Sequence, residues 1–217
     1  SMNSNSRLTN LKVAAKEFVD TMVANTEDGK MSMSIVPYAT QVSLPDGLMG
    51  RLNVGTEQEY SNCVNFSGSS FDDTAVSAAD PLERTMHFDP WRRWDGRDDT
   101  PVARLLGNPT TSTLPVCEYA DEREVLINQN NPTTLKTYID ALSARGNTSI
   151  DIGMKWGVAL LDPAIQPTLQ AMSIAGDQPA IPSVFANRPF AYNQSEVLKV
   201  IVLMTDGQNT SQYYIHE

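Results

Sequence analysis

The chain has 217 residues, of which 41% are hydrophobic, and its formal net charge is −10. A chain of this length can bury one sizeable core, so the sequence predicts one domain rather than two. The excess of 26 acidic over 16 basic residues argues against nucleic-acid binding, because phosphate repulsion would have to be overcome by a basic stripe and none is visible. No stretch approaches the roughly 18 consecutive apolar residues of a membrane-spanning helix.

The first predicted elements are a helix and a strand. Residues 7–24 place apolar side chains at three- and four-residue steps, which predicts an amphipathic helix with Ser4 or Ser6 as its cap. Residues 31–38 alternate apolar and polar side chains, which predicts a half-buried strand. Residues 41–44 resemble a short partner strand for it.

From residue 48 to 131 the periodicity fades, and Asn, Ser, Asp, Thr and Pro dominate. A structureless loop of this length is improbable in a compact domain. We therefore interpret 48–131 as an inserted subdomain between a first unit at 1–47 and a last unit at 132–217. Trp91 and Trp94 lie in the insertion, where we expect them to form its core, and carbohydrate stacking is the alternative.

The last unit holds two predicted helices and a predicted strand. Residues 133–142 carry one apolar helical stripe, and a second amphipathic helix is predicted at 150–161. The Pro-, Ala- and Asn-rich residues 163–194 predict a second irregular segment. Residues 197–204 are almost wholly apolar, which predicts a buried strand in the middle of a sheet covered by helices. The order of elements indicates an α/β fold, truncated at both ends, with the central strand expected before residue 1.

The two cysteines, Cys63 and Cys117, stand 54 positions apart with no Cys-x-x-Cys spacing. Because the chain has only two histidines, a zinc site of Cys and His is not expected. The cysteines form either a disulfide or two buried thiols. A disulfide would place the domain in an oxidising compartment.

Two polar residues mark the expected ligand-binding edge of the sheet. Asp206 directly follows the most apolar segment, and ligands of open α/β sheets bind beyond the carboxyl ends of the strands. Thr148 precedes a predicted helix in a loop that should open on the same edge. The alternatives are a simple turn at Asp206-Gly207 and helix capping by Thr148. If both side chains converge, they offer oxygen ligands to a hard dication such as Mg²⁺.

An enzyme is the rival class of function. Gly-x-Ser-x-Gly, Walker A and Gly-x-Gly-x-x-Gly sequences are all absent. Cys63 or Cys117 could act as a nucleophile with His87, but the flanking residues typical of cysteine proteases are missing. We expect no catalytic activity, and a metal- or cysteine-dependent hydrolase is the alternative.

Two segments resemble parts of the metal-ion-dependent adhesion site (MIDAS) of von Willebrand factor A (vWA) domains. They are Gly146-Asn147-Thr148-Ser149 before a helix, and residues 202–207, Val-Leu-Met-Thr-Asp-Gly, at the end of a strand. In that family the third segment is Asp-x-Ser-x-Ser between the first strand and first helix, and Ser1-Met2 resembles its end. The resemblance implies a vWA-like, Rossmann-like central sheet flanked by helices, here with a large irregular insertion.

The same resemblance implies a set of metal ligands. Ser1, Thr148 and Asp206 would bind Mg²⁺, Mn²⁺ or Ca²⁺, and an acidic residue of a protein partner would complete the coordination. Ser1 contributes only if it is native and not the remnant of an expression tag. The Asp and first Ser of the motif are expected upstream of Ser1. Residues 1–217 alone are therefore expected to hold the metal poorly or not at all.

Longer stretches resemble bacterial Tad (tight adherence) pilus assembly proteins of the TadG type, whose C-terminal part is vWA-like. The resemblance implies a non-catalytic protein-binding module of the cell envelope, facing the periplasm or the exterior. It also implies an upstream transmembrane anchor and pilus or envelope components as partners. A vWA-type surface adhesin unrelated to pili is the alternative. The matching stretches are residues 8–15, 34–38, the Cys-bearing insertion, 146–157 and 199–209.

Overall fold

The computed structural model describes residues 2, 4, 6–88, 115–118, 121–205 and 208–210. Both helices and short strands occur among the described residues, which confirms a mixed α and β fold at that coarse level. The helices are α1 (Arg7–Ala24), α2 (Asp46–Met49), α3 (Pro132–Ala141), α4 (Ile150–Ala159) and α5 (Gln166–Ala175). The strands are β1 (Met33–Ile35), β2 (Val64–Asn65), β3 (Glu83–Arg84) and β4 (Leu126–Gln129). Short 3-10 helices lie at Gly68–Phe71, Asp121–Arg123, Pro163–Ile165 and Ser183–Phe185.

Helix α1 confirms the helix predicted at 7–24. It packs on α3, and Val19 of α1 meets Leu135 and Ile139 of α3 in a buried apolar cluster that also includes Leu126 of β4. The predicted serine cap is wrong at Ser6, which occupies the N-cap position in a left-handed conformation and makes no side-chain capping bond. None of the described helices is both long and apolar enough to cross a membrane.

Strand β1 confirms the strand predicted at 31–38, but its predicted partner is wrong. β1 pairs antiparallel with β4, and the register places Met33 opposite Gln129 and Ile35 opposite Leu126 with an irregularity between them. Residues 41–44 instead enter the main core, where Val42 and Leu44 are fully buried, and they form only an isolated bridge to the chain before β4. The strand that pairs with β1 thus comes from the range interpreted as an insertion.

The described part of the insertion contains the antiparallel pair β2–β3 and a disulfide. Cys63 and Cys117 are bonded at 2.02 Å and fully buried, which confirms the disulfide and excludes the two thiols. Lys155 of α4 anchors the insertion. Its Nζ, in a side chain that is almost fully buried, donates to the Asp73 and Ala75 carbonyl oxygens at 3.1 and 3.0 Å. The roles predicted for Trp91 and Trp94 lie outside the described residues.

Helices α3 and α4 confirm the two helices predicted in the last unit, whereas the irregular segment predicted at 163–194 is wrong over residues 166–175 and confirmed over most of residues 176–194. Residues 166–175 form α5, which has a proline in its first turn and ends at Gly176 with a φ of 72°. Proline is compatible with the start of a helix because the amides there have no partner within the helix. Pro167 therefore lies in the first turn of a helix that also contains Ala171 and Ala175.

The buried strand predicted at 197–204 is also wrong. The segment belongs to no sheet among the described residues, and Leu198 and Val200 are 86% and 60% exposed. An all-apolar strand is buried only when strands flank it and layers cover both faces. Here Ile201 approaches Gly157 of α4, but Ile201, Val202 and Leu203 stay 38%, 50% and 45% exposed. Side-chain bonds hold the segment. Lys199 Nζ donates to the Leu161 carbonyl at 2.7 Å and to the Phe190 carbonyl, and the Tyr38 hydroxyl donates to the Met204 carbonyl at 3.2 Å.

Candidate functional site

The loop that follows β1 and the loop that precedes α4 are joined by hydrogen bonds. The Asn147 amide donates to Thr40 Oγ1 at 3.1 Å, and the Ser149 amide donates to the Ala39 carbonyl at 2.8 Å. The fully buried Ser149 hydroxyl donates to the Thr40 carbonyl at 2.8 Å. Gly146 has a φ of 69°, and a Cβ there would lie 3.2 Å from Thr40 Oγ1. The glycine of the Gly146-Asn147-Thr148-Ser149 motif therefore permits both the turn and the close approach.

A third segment, residues 208–210, joins these loops. The Thr148 amide donates to Thr210 Oγ1 at 2.8 Å, and the Thr210 amide donates back to the Thr148 carbonyl at 2.9 Å. The Ile150 amide, the first of α4, donates to Asn209 Oδ1 at 3.0 Å. We call the combined surface of residues 38–41, 146–150 and 208–210 the rim.

Thr148 does not cap α4. The N-cap position belongs to Ser149, whose side chain makes no capping bond, and Asn209 supplies the oxygen that the first amide of the helix needs. Thr148 is half-buried, and its backbone is held on both sides by Thr210. Its hydroxyl forms no hydrogen bond with any described residue, so this oxygen is available to a ligand at the rim.

The other two predicted ligands, Ser1 and Asp206, lie outside the described residues, as does Gly207. The neighbours of Asp206 along the chain are placed. The carbonyl of Met204 accepts the hydrogen bond from Tyr38, and Asn209 and Thr210 contact the start of α4. Met204 on one side of the undescribed pair 206–207, and Asn209 and Thr210 on the other, are thus bonded to the rim.

The sequence analysis missed four residues that build the rim, namely Tyr38, Thr40, Asn209 and Thr210. Each follows or ends a predicted strand, and each carries a hydroxyl or an amide. This position and chemistry were the available signal, since polar side chains beyond strand ends gather at one edge of an α/β sheet. None of the four lies in the two MIDAS-like segments, residues 146–149 and 202–207.

The oxygen chemistry of the rim suits a hard cation such as Mg²⁺ better than a soft one. Within the described ranges, no group of three or more His, Cys, Asp or Glu could hold a metal ion. The predicted site has a different composition, because it combines one carboxylate with neutral hydroxyl oxygens. The Thr148 hydroxyl fits that donor set.

A second polar centre lies near the other end of α4, around Asp162. Its carboxylate accepts hydrogen bonds from Thr74, from the Ala164 amide at 2.8 Å and from the Tyr192 hydroxyl at 2.9 Å. Burial raises the pKa of Asp162, whereas these hydrogen bonds and the positive charge of Lys199 lower it by a larger amount. The pKa of Asp162 therefore lies below its usual value. These hydrogen bonds satisfy the Asp162 carboxylate and connect Tyr192 and Thr74 to the end of α4. The role of Asp162 is therefore structural.

The chain was compared with known proteins in three ways: no protein family model matches it, no curated protein matches it, and no solved structure matches it.

Proposed function

We propose that this chain is a non-catalytic, vWA-type binding module that uses a divalent metal at the rim to bind an acidic residue of a protein partner. Thr148 and Asp206 would hold the metal, together with Ser1 where that residue is native. The antiparallel pair β1–β4, packed with α1 and α3, and the rim loop at the start of α4 support a vWA-like arrangement.

One observation carries the proposal: the chain is bonded to the rim before and after residue 206, through Met204 to Tyr38 and through Asn209 and Thr210 to the loop of Thr148. Asp206 is two residues from Met204 and three from Asn209. Because a chain spans at most roughly 3.6 Å per residue, Asp206 stays within roughly 7 Å of the bonded Met204 and roughly 11 Å of Asn209. A shared metal site requires Thr148 and Asp206 to converge at one rim. The bonds of Met204, Asn209 and Thr210 to the rim support that convergence.

The chemistry divides between a charged and a neutral ligand. Asp206 supplies negative charge, whereas the Thr148 hydroxyl supplies a neutral oxygen whose position is set by the two backbone bonds to Thr210. A bound divalent ion would supply positive charge and a coordination position for a carboxylate of the partner. A chain of net charge −10 otherwise repels an acidic partner, so binding should depend strongly on the metal.

The cellular setting belongs to the same proposal. The Cys63–Cys117 disulfide supports an oxidising compartment, as expected for a pilus assembly module on the outer side of a bacterial membrane. It also engages both sulfurs, which disfavours a cysteine-dependent hydrolase. A surface adhesin unrelated to pili would use the same rim and stays the second candidate.

The test is calorimetric titration of the full-length protein with Mg²⁺ and Mn²⁺. We expect Asp206→Asn and Thr148→Val each to weaken metal affinity by more than about tenfold. Asp72→Asn is the matched control, because it neutralises an exposed carboxylate at the end of the 3-10 helix Gly68–Phe71 and should leave affinity unchanged. The proposal fails if the unmodified protein has no affinity for either metal, or if Asp206→Asn binds as tightly as the unmodified protein.

A further inference from the structure

A small cavity of about 10 Å³ lies behind the rim, between the loop after β1 and the segment that carries Cys117. Gln41, Ser43, Glu118 and Arg123 are among the side chains that line it. Three of their oxygens, Gln41 Oε1, Ser43 Oγ and Glu118 Oε1, are buried and have no hydrogen-bond partner within the described part of the chain. The three residues are only 7%, 4% and 9% exposed.

Three unpartnered buried oxygens in one small cavity point to a ligand. Buried polar atoms in folded proteins nearly always have a hydrogen-bond partner, because an unsatisfied atom loses its hydration and gains nothing in return. The other atoms of these side chains are used. Gln41 Nε2 donates to Asn65 Oδ1 at 3.0 Å, and Glu118 Oε2 lies 3.6 Å from Arg145 Nη1. The Gln41 and Glu118 side chains are therefore held in place, with Gln41 Oε1 and Glu118 Oε1 left for a bound molecule.

The volume of the cavity and the charges that line it indicate which molecule binds there. A volume of about 10 Å³ corresponds to a single water, which in protein interiors makes about three hydrogen bonds. A water can donate to Gln41 Oε1 and Glu118 Oε1 and accept from the Ser43 hydroxyl, which matches the three oxygens. A divalent cation fits poorly, because it needs about six oxygen ligands and would lie beside the guanidinium of Arg123.

We propose that one water molecule is bound in this cavity and joins the loop after β1 to the disulfide-bearing segment 116–118. The loop that carries Gln41 and Ser43 also carries Thr40, which bonds the start of α4 at the rim. The water thus links Cys117 to the rim through Glu118 and Gln41. This site does not depend on metal binding at the rim.

Deleting the Ser43 hydroxyl separates a hydrated cavity from a dry one by the sign of the effect. If the water is bound, Ser43→Ala removes one of its three partners and lowers the urea midpoint of unfolding. If the cavity is dry, the same change removes an unsatisfied buried hydroxyl, so the midpoint stays or rises. Ser61→Ala is the matched control, because the Ser61 hydroxyl is also fully buried and unpartnered in the described residues but does not line this cavity.

We expect a lower midpoint for Ser43→Ala than for Ser61→Ala, and an equal or higher midpoint would overturn the proposal. A high-resolution crystal structure of the unmodified protein gives the second readout. Ordered solvent density within hydrogen-bond distance of all three oxygens is expected. A cavity without density would overturn the proposal whatever the midpoints show.

Discussion

Removing the Cys63–Cys117 disulfide should cost this protein a large share of its stability. The bridge closes a loop of 54 residues, and cross-linking a loop of that length lowers the entropy of the unfolded chain. The chain-entropy relation gives a loss of about 4 kcal/mol for a Cys63→Ala, Cys117→Ala double variant. With a urea dependence of roughly 2–3 kcal/mol per molar, the unfolding midpoint should fall by roughly 1.3–2 M.

The same urea titration in a reducing buffer is the control for this prediction. Once the unfolded chain of the unmodified protein is reduced, it is no longer cross-linked, so its stability should approach that of the double variant. Any difference that persists under reduction reports the packing of the two buried sulfurs. A loss below about 1 kcal/mol without reductant would refute the entropic argument, and would mean that other contacts already restrict the unfolded loop.

Three further predictions concern α4 and the residues that follow it. Gly153→Ala should destabilise the protein by about 1 kcal/mol or more, because the added Cβ would lie 2.7 Å from the Tyr38 ring. Gly157→Ala in the same helix should stabilise it by about 0.5–1 kcal/mol, since its Cβ meets Ile201 at 3.9 Å and alanine favours a helix. Because the pKa of Asp162 is lowered in the folded state, its contribution to stability should be present above the unfolded value of about 3.9 and be lost as pH falls through the folded pKa.

Urea midpoints measure all of these effects. Equal midpoints for the two glycine variants would contradict the close contact with Tyr38. For the carboxylate, midpoints between pH 6 and pH 2 should fall less steeply in Asp162→Asn than in the unmodified protein. A slope that Asp162→Asn does not change would show that other groups cause the acid sensitivity.

Local patterns predicted α1, α3 and α4 well, missed α2 and α5, and predicted the sheet poorly. Helix α1 was predicted with the bounds it has, because its apolar residues recur with the helical period and are used by one neighbouring helix. The partner of β1 was not predictable in the same way. Strand pairing joins residues that lie almost a hundred positions apart, and the antiparallel partner at Leu126–Gln129 lies in a region without a clear pattern of its own.

The candidate site was predictable only as far as the motifs reached. The motif around Thr148 led to a loop that the structure holds against residues 208–210. Asn209 and Thr40 could not be inferred from motif spacing, because their role comes from backbone groups that they satisfy across the fold. Helix capping by a residue 59 positions away, as from Asn209 to Ile150, leaves no local signature.

The failed strand at 197–204 shows how the rim is positioned. A segment with apolar residues on both faces is a buried strand only where both faces are covered, and here Leu198 and Val200 are exposed. No ladder of backbone bonds then fixes the segment that leads to residue 206. The Tyr38 hydroxyl does so by bonding the Met204 carbonyl, while the ring of the same tyrosine packs against Gly153 of α4. Tyr38 therefore connects the two sides of the candidate metal site, and the contact tested by Gly153→Ala is one on which the spacing of Thr148 and Asp206 should depend.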